Sequence, residues 1–416
     1  MVASRALQPL LAKLPTLQRG YRPPPLVPFG VPQSSFSEAC PPPKDSTPFE
    51  REELVLPEVV ATPPRHSCCP TAVPEGLVTV DWLHPTIDQP SSPICLIVPS
   101  LTGSSDSSYV RRLSAKLREA GVRVACYHPR GLGGNPLISR FLYSAGYTED
   151  LRRVVAHARG RYPDAPMLAV GYSLGGSVLA KFVAEEGAGC ALAGAAAMAA
   201  PLDYVAVDRW LASTWLGAFC DRCVIVPSVR RVLRHWPHKR RRGGGADASA
   251  PEASASAAAS AAAEVPRRVG VEAAEEAGGD DREEPMDIDA AVRATTIRGI
   301  DDALVAPMMG YGRGGADAYY VGASAAPLLS QVRVPMLVVF AENDPLGPPA
   351  TLGRDAVVAA ATAPGDGAAP LVLATTPEGG HSLVWPEGWL ADGTWASELL
   401  VEWVCAVTDH PKRTAG

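Results

Sequence analysis

The sequence predicts an α/β protein in which a mostly parallel sheet of eight strands lies between layers of helices. Three observations carry this. From Ile94 onward, continuous apolar runs alternate with stretches of helical periodicity, the pattern of strands covered on both faces. Two alternating strands precede that region, as half-buried antiparallel strands do. Finally, the run Leu168-Ala169-Val170-Gly171-Tyr172 passes through Ser173-Leu174-Gly175-Gly176 straight into a helix, a strand-turn-helix built on Gly-x-Ser-x-Gly.

Taken in order, residues 1–50 read as a Pro-rich N-terminal extension. The first 22 hold Arg5, Lys13, Arg19 and Arg22 with no acid before Glu38. They resemble an organelle-targeting leader as much as a short disordered or amphipathic lead-in, which leaves a cytoplasmic or an organellar location. The main domain spans 51–410, followed by a tail at 411–416. Its strands are expected at 52–56, 77–82, 94–99, 122–127, 167–172, 192–199, 336–341 and 371–375. Helices are expected at 109–120, 148–161, 174–186, 351–362 and 394–407, the second with Thr148 as N-cap and Glu149-Asp150 in an acidic first turn. Residues 201–330 are too long for an ordinary connection and predict a cap inserted between strands 6 and 7. Within it, 238–290 is low complexity and reads as a disordered surface insertion, its run Lys239-Arg240-Arg241-Arg242 fitting a solvated linker better than a nuclear address.

Composition narrows the function. The 416 residues carry a formal net charge of -6 and no basic stripe, which argues against nucleic acid as a partner. No apolar run approaches the roughly 20 residues of a membrane-spanning helix, leaving peripheral contact at most. The nine cysteines are odd in number and scattered, as in a reducing compartment. Cys220-x-x-Cys223 has no second pair to complete a metal site, and no dinucleotide or P-loop fingerprint calls for a cofactor.

A serine becomes nucleophilic when a fold lifts its hydroxyl to a sheet rim beside a base and oxyanion-binding amides. In the elbow around Ser173, Gly171 and Gly175 remove side chains that would collide, and Gly176 lets the helix pack close. The helix N-terminus places positive partial charge where an oxyanion would form, so the Leu174 amide is the expected first donor. On such a sheet the acid follows the seventh strand and the histidine the eighth. Asp344 is the expected acid, with Glu342 as fallback, and His381 the expected base. The other histidines lie elsewhere: His128 ends a strand and His157 sits mid-helix, both in structural or surface roles. The loop 98–105 should supply the second oxyanion donor, the Leu101 amide first and Thr102 next. The expected chemistry is hydrolysis of carboxylic esters through a Ser-His-Asp acyl-enzyme. A non-catalytic ligand-binding protein and an acyltransferase are the alternatives.

These residues resemble a branch of the α/β-hydrolases, the YheT-like or embryogenesis-associated group that includes lipid-acting hydrolases of animals. The likeness runs from about Tyr21 to Cys405. It is carried by Leu101-Thr102-Gly103-Ser104-Ser105, Pro129-Arg130-Gly131, Ala145-Gly146-Tyr147-Thr148-Glu149-Asp150-Leu151, the elbow, Asp301-Asp302, Tyr319-Tyr320 and Gly379-Gly380-His381. Three positions depart from the group's pattern: Pro99-Ser100 in place of His-Gly, Ser177 in place of Asn, and Ser382-Leu383-Val384 in place of Leu/Ile-Gly-Phe. The resemblance implies carboxylic-ester hydrolysis of acylglycerols, phospholipid acyl esters or short-chain esters. In the cap, Trp210, Leu211, Trp215, Leu216, Phe219, Met308 and Met309 are expected to line an acyl-chain entrance.

Overall fold

A nine-stranded sheet organises the chain, in the order β1-β11-β10-β9-β8-β6-β7-β5-β2. The computed structural model describes residues 1–23, 47–60, 72–234, 236, 286–381, 385–387 and 393–410. The strands are β1 Val2–Ala3, β2 Glu50–Leu56, β5 Gly76–Leu83, β6 Ile94–Val98, β7 Arg123–His128, β8 Met167–Tyr172, β9 Gly194–Met198, β10 Met336–Ala341 and β11 Leu371–Thr376; β3 Val59–Val60 and β4 Ala72–Val73 pair separately. From β7 to β11 every contact is parallel, while β2, β5 and β1 join antiparallel. All eight expected strands are present.

The ninth, β1, arises where a lead-in is expected. Val2 and Ala3 pair with Leu373 and Val372, and Leu7, Leu11 and Leu14 are buried behind them. Residues 1–23 thus contribute to the core, so the expected boundary at 51 does not separate them from it. Most of the Pro-rich stretch lies outside the described residues.

Every residue of β6, β7, β8, β9 and β10 is buried, which is why these strands read as unbroken apolar runs. Successive side chains point to opposite faces. Leu96, Val98, Met167 and Ala169 pack in one cluster, against α2 Glu149–Arg161 and α3 Leu174–Glu186. Cys95, Ile97, Leu168 and Val170 pack in the other, against α1 Ser108–Glu119 and the C-terminal helix Trp395–Val407.

The connection between β9 and β10 is helical. It includes α4 Tyr204–Ser213 and α5 Trp215–Cys220, then a π turn Asp221–Ile225 leading into α6 Val226–Leu233. The expected disordered insertion lies outside the described residues up to 285, but it ends earlier than 290. Asp287 caps the helix α7 Ile288–Arg293 by accepting from the Ala290 amide at 2.8 Å.

Thr148 does not cap α2. Its backbone is already helical and its hydroxyl donates to Glu185 instead. That carboxylate is buried and needs donors more than a solvent-facing helix end does. Asp150 in the same first turn accepts two bonds from Arg130, at 2.7 and 3.0 Å.

A buried polar cluster ties the antiparallel edge to the loop after β6. The Ser105 amide donates to His128 Nε2 at 3.0 Å, and the Ser105 hydroxyl donates to Asp81 at 2.6 Å. Arg51 holds the same carboxylate through two bonds of 2.7 and 2.9 Å. An amide only donates, so Nε2 accepts from Ser105, while Nδ1 lies 3.1 Å from the Thr79 hydroxyl and 3.2 Å from the Arg51 guanidinium. Burial pushes the His128 imidazole down to about 4, with the Asp81 charge opposing and Arg51 reinforcing the shift. Its ordinary value of 6.5 returns on unfolding. Below pH 6.5 the unfolded chain therefore takes up a proton that the folded chain refuses, and stability falls as pH drops towards 4. Between pH 7.5 and 5 the native protein should lose about 2 kcal/mol of unfolding free energy that His128→Asn keeps. Urea unfolding of both proteins at the two pH values measures this, and equal losses would exclude His128 as the responsible group.

Candidate active site

Ser173 stands at the turn from β8 to α3 with φ 50° and ψ −121°, a conformation that costs a non-glycine residue energy. The turn is held because the Ser173 amide donates to the Met198 carbonyl at 2.9 Å. Tight packing demands its glycines. A Cβ on Gly171 would sit 2.5 Å from the Gly175 carbonyl oxygen, and one on Gly175 would overlap the Val98 and Pro99 carbonyl oxygens.

Asp344 follows β10, and His381 follows β11. His381 Nε2 lies 2.8 Å from the Ser173 hydroxyl, and His381 Nδ1 lies 2.8 Å from Asp344 Oδ2. A carboxylate only accepts, so Nδ1 carries the proton and Nε2 is free to accept from the serine. Asp344 is 4% exposed, and its second oxygen accepts from the Leu346 amide at 2.8 Å. The histidine loop is pinned by the Gly380 amide, which donates to Asn343 at 2.8 Å. Glu342, the fallback acid, is exposed and takes no part.

Leu101 and Leu174 both border the cavity next to Ser173, whereas Thr102 is exposed and lies outside its lining. Among the described residues neither the Leu101 nor the Leu174 amide donates to a protein acceptor. The loop carrying Leu101 is fixed from below by Ser105, and its Ser100 amide donates to the Tyr109 hydroxyl at 3.0 Å. Of the positions departing from the group's pattern, Ser177 is buried and donates to the Pro201 carbonyl at 2.7 Å. Ser382, Leu383 and Val384 lie outside the described residues.

The cavity above the serine measures about 200 Å³ and is mostly apolar, with Leu142, Leu211, Val229, Leu233, Ile297 and Leu304 in its wall. The expected entrance residues are only partly there. Leu211 lines the cavity, but Met308 and Met309 are buried with their sulfurs against the Leu142 amide and the Ser144 hydroxyl. Trp215 and Phe219 face outward, because the turn of α5 that carries them presents its other side to the molecule.

Sequence reasoning gave no role to Asp301, a buried carboxyl in the cavity wall that accepts from the Tyr320 hydroxyl at 2.8 Å. Burial raises it to about 7, the Tyr320 bond resisting. The signal was present, since Asp301 and Tyr320 are among the residues that carry the family resemblance.

Residues 92–265 match the family model Hydrolase_4, described as serine aminopeptidase, S33. The chain is 25% identical over 320 residues to embryogenesis-associated protein EMB8 of Picea glauca, covering 76% of this chain but only 58% of that protein. It is 25% identical over 370 residues to phospholipase ABHD3 of Homo sapiens, covering 86% of this chain and 76% of that one. It is also 23% identical over 257 residues to the monoacylglycerol lipase of Saccharomyces cerevisiae, covering 62% of this chain and 49% of that enzyme. Two of these relatives are named as a phospholipase and a lipase, and together they match the group the sequence resembles. The chain has an α/β-hydrolase fold and is similar in sequence to the YheT-like, embryogenesis-associated group.

Proposed function

We propose that this hydrolase cleaves carboxylic esters of lipids, with Ser173 as nucleophile, His381 as general base and Asp344 as the residue that orients the imidazole. The observation that carries the reading is the pair of 2.8 Å bonds joining the three side chains beneath an apolar cavity. Ser173 attacks the ester carbonyl as His381 Nε2 takes its proton, and the carbonyl oxygen becomes an oxyanion facing the Leu101 and Leu174 amides. The intermediate collapses to an acyl-enzyme as His381 returns the proton to the leaving alcohol. Water, deprotonated by the same nitrogen, then releases the acid and restores the serine. The helices between β9 and β10 act as a cap whose apolar inner face takes the acyl chain, in keeping with the lipid-acting relatives.

Replacing Ser173 by Ala should lower turnover of p-nitrophenyl acyl esters by about 10⁴- to 10⁶-fold, and Asp344→Asn by about 10⁴-fold, since an amide stabilises the wrong tautomer. Glu342→Gln should stay within a few-fold of the native rate. Full activity in Ser173→Ala would refute the assignment. A fluorophosphonate probe should label the native protein and spare folded Ser173→Ala; a native protein that is folded yet unlabelled would favour a ligand-binding role instead.

A further inference from the structure

On α5 and the π turn that follows it, three large apolar side chains face water: Trp215 is 82% exposed, Phe219 47% and Val224 52%. Trp215 and Phe219 are four residues apart on α5 and lie one above the other. The π turn Asp221–Ile225 takes more residues per turn, which brings Val224, five positions on, to the same stripe. The neighbouring α4, π turn and α6 supply Leu211, Ile225, Val229 and Leu233 to the cavity over Ser173. A carbon added to Gly347, just past Asp344, would come within 3.6 Å of Trp210, so this helical layer adjoins the site.

Over residues 204–234, the stretch that carries this stripe, the charge is opposite to that of the chain. Arg209, Arg222, Arg231 and Arg234 are exposed on it. The two acids within 204–234 are both engaged: Asp221 is buried and accepts from the Ile297 amide at 2.8 Å, and Asp208 accepts from Arg298 at 2.6 Å. An apolar stripe of Trp, Phe and Val among exposed arginines, on a protein of net charge -6, matches an anionic lipid surface. A second copy of the chain would bring the same arginines face to face, which disfavours a symmetric contact.

We infer that this face docks on an anionic bilayer, with Trp215, Phe219 and Val224 entering the boundary between headgroups and acyl chains and Arg222, Arg231 and Arg234 at the lipid phosphates. The inference extends the lipid-ester reading, because it sets the cavity-forming helices against the phase that holds the substrate.

Cosedimentation of the full chain with vesicles of phosphatidylcholine and phosphatidylserine tests it. The native protein should partition onto these vesicles and much less onto phosphatidylcholine alone. The double variant Trp215→Ser/Phe219→Ser should bind at least roughly tenfold more weakly while hydrolysing soluble p-nitrophenyl esters at the native rate. Arg222→Glu/Arg231→Glu should lose the preference for anionic vesicles. Ser173→Ala should bind vesicles like the native protein, so docking is read even if the hydrolytic assignment fails. Native protein that ignores the vesicles, or a double variant that binds as the native does, would overturn the inference. So would sedimentation velocity showing that the double variant changes only the oligomeric state.

Discussion

The close approach of β8 to α3 is the constraint on which the rest of the molecule depends. A turn this tight holds Ser173 at a positive φ that its own chemistry disfavours, so the strain must be balanced by what surrounds it. The surroundings supply that through order. β8 lies between β6 and β9, the Ser173 amide is bonded across to Met198, and α3 is buried over most of its length. The same crowding reaches into β9, which reads Gly-Ala-Ala-Ala-Met. A Cβ on Gly176 would sit 2.8 Å from the Ala200 side chain, so both partners at this crossing have to be small.

With the elbow fixed, parallel pairing delivers the other groups. Strands β6, β8, β9, β10 and β11 run the same way, so the loops leaving their carboxyl ends share one rim. Leu101, Ser173, Asp344 and His381 come from four of those ends, separated by up to 280 positions in sequence yet adjacent in space. Their precision comes from a second layer: the Ser105, Asp81, Arg51 and His128 cluster under one loop and the Asn343 bond to Gly380 under another.

What was legible in the sequence follows the same division. Strands buried on both faces announce themselves as continuous apolar runs, and three chemically marked residues at strand ends can be ordered by topology alone. The two-residue strand β1 carries no periodicity, and its pairing with β11 joins positions some 370 apart, so nothing local announces it. Thr148 satisfied every local rule for an N-cap, but a carboxylate 37 residues away competes for its hydroxyl. The His128 cluster drew on residues 23 to 77 positions apart, none of them unusual alone. Hydrophobicity identified the helices after β9 as apolar without telling which side of each turn faces inward, and so Trp215 and Phe219 were expected in a cavity that they do not line.

That last ambiguity has a physical origin. A helix with an apolar stripe normally buries it once, but the layer of α4, α5, the π turn and α6 is apolar on two sides, with Leu211, Ile225 and Val229 at the cavity and Trp215, Phe219 and Val224 in water. For a protein whose substrate stays in water, the outer side would be a liability, and exposed tryptophan there would favour aggregation. For a hydrolase acting on esters held in a lipid phase, both sides have a use, because the layer that closes the cavity is also the layer the lipid must cross to reach Ser173. The proposed docking on a lipid phase accounts for two-sided apolarity in this one layer, with Trp215, Phe219 and Val224 on the outer face and Leu211 and Val229 on the inner one.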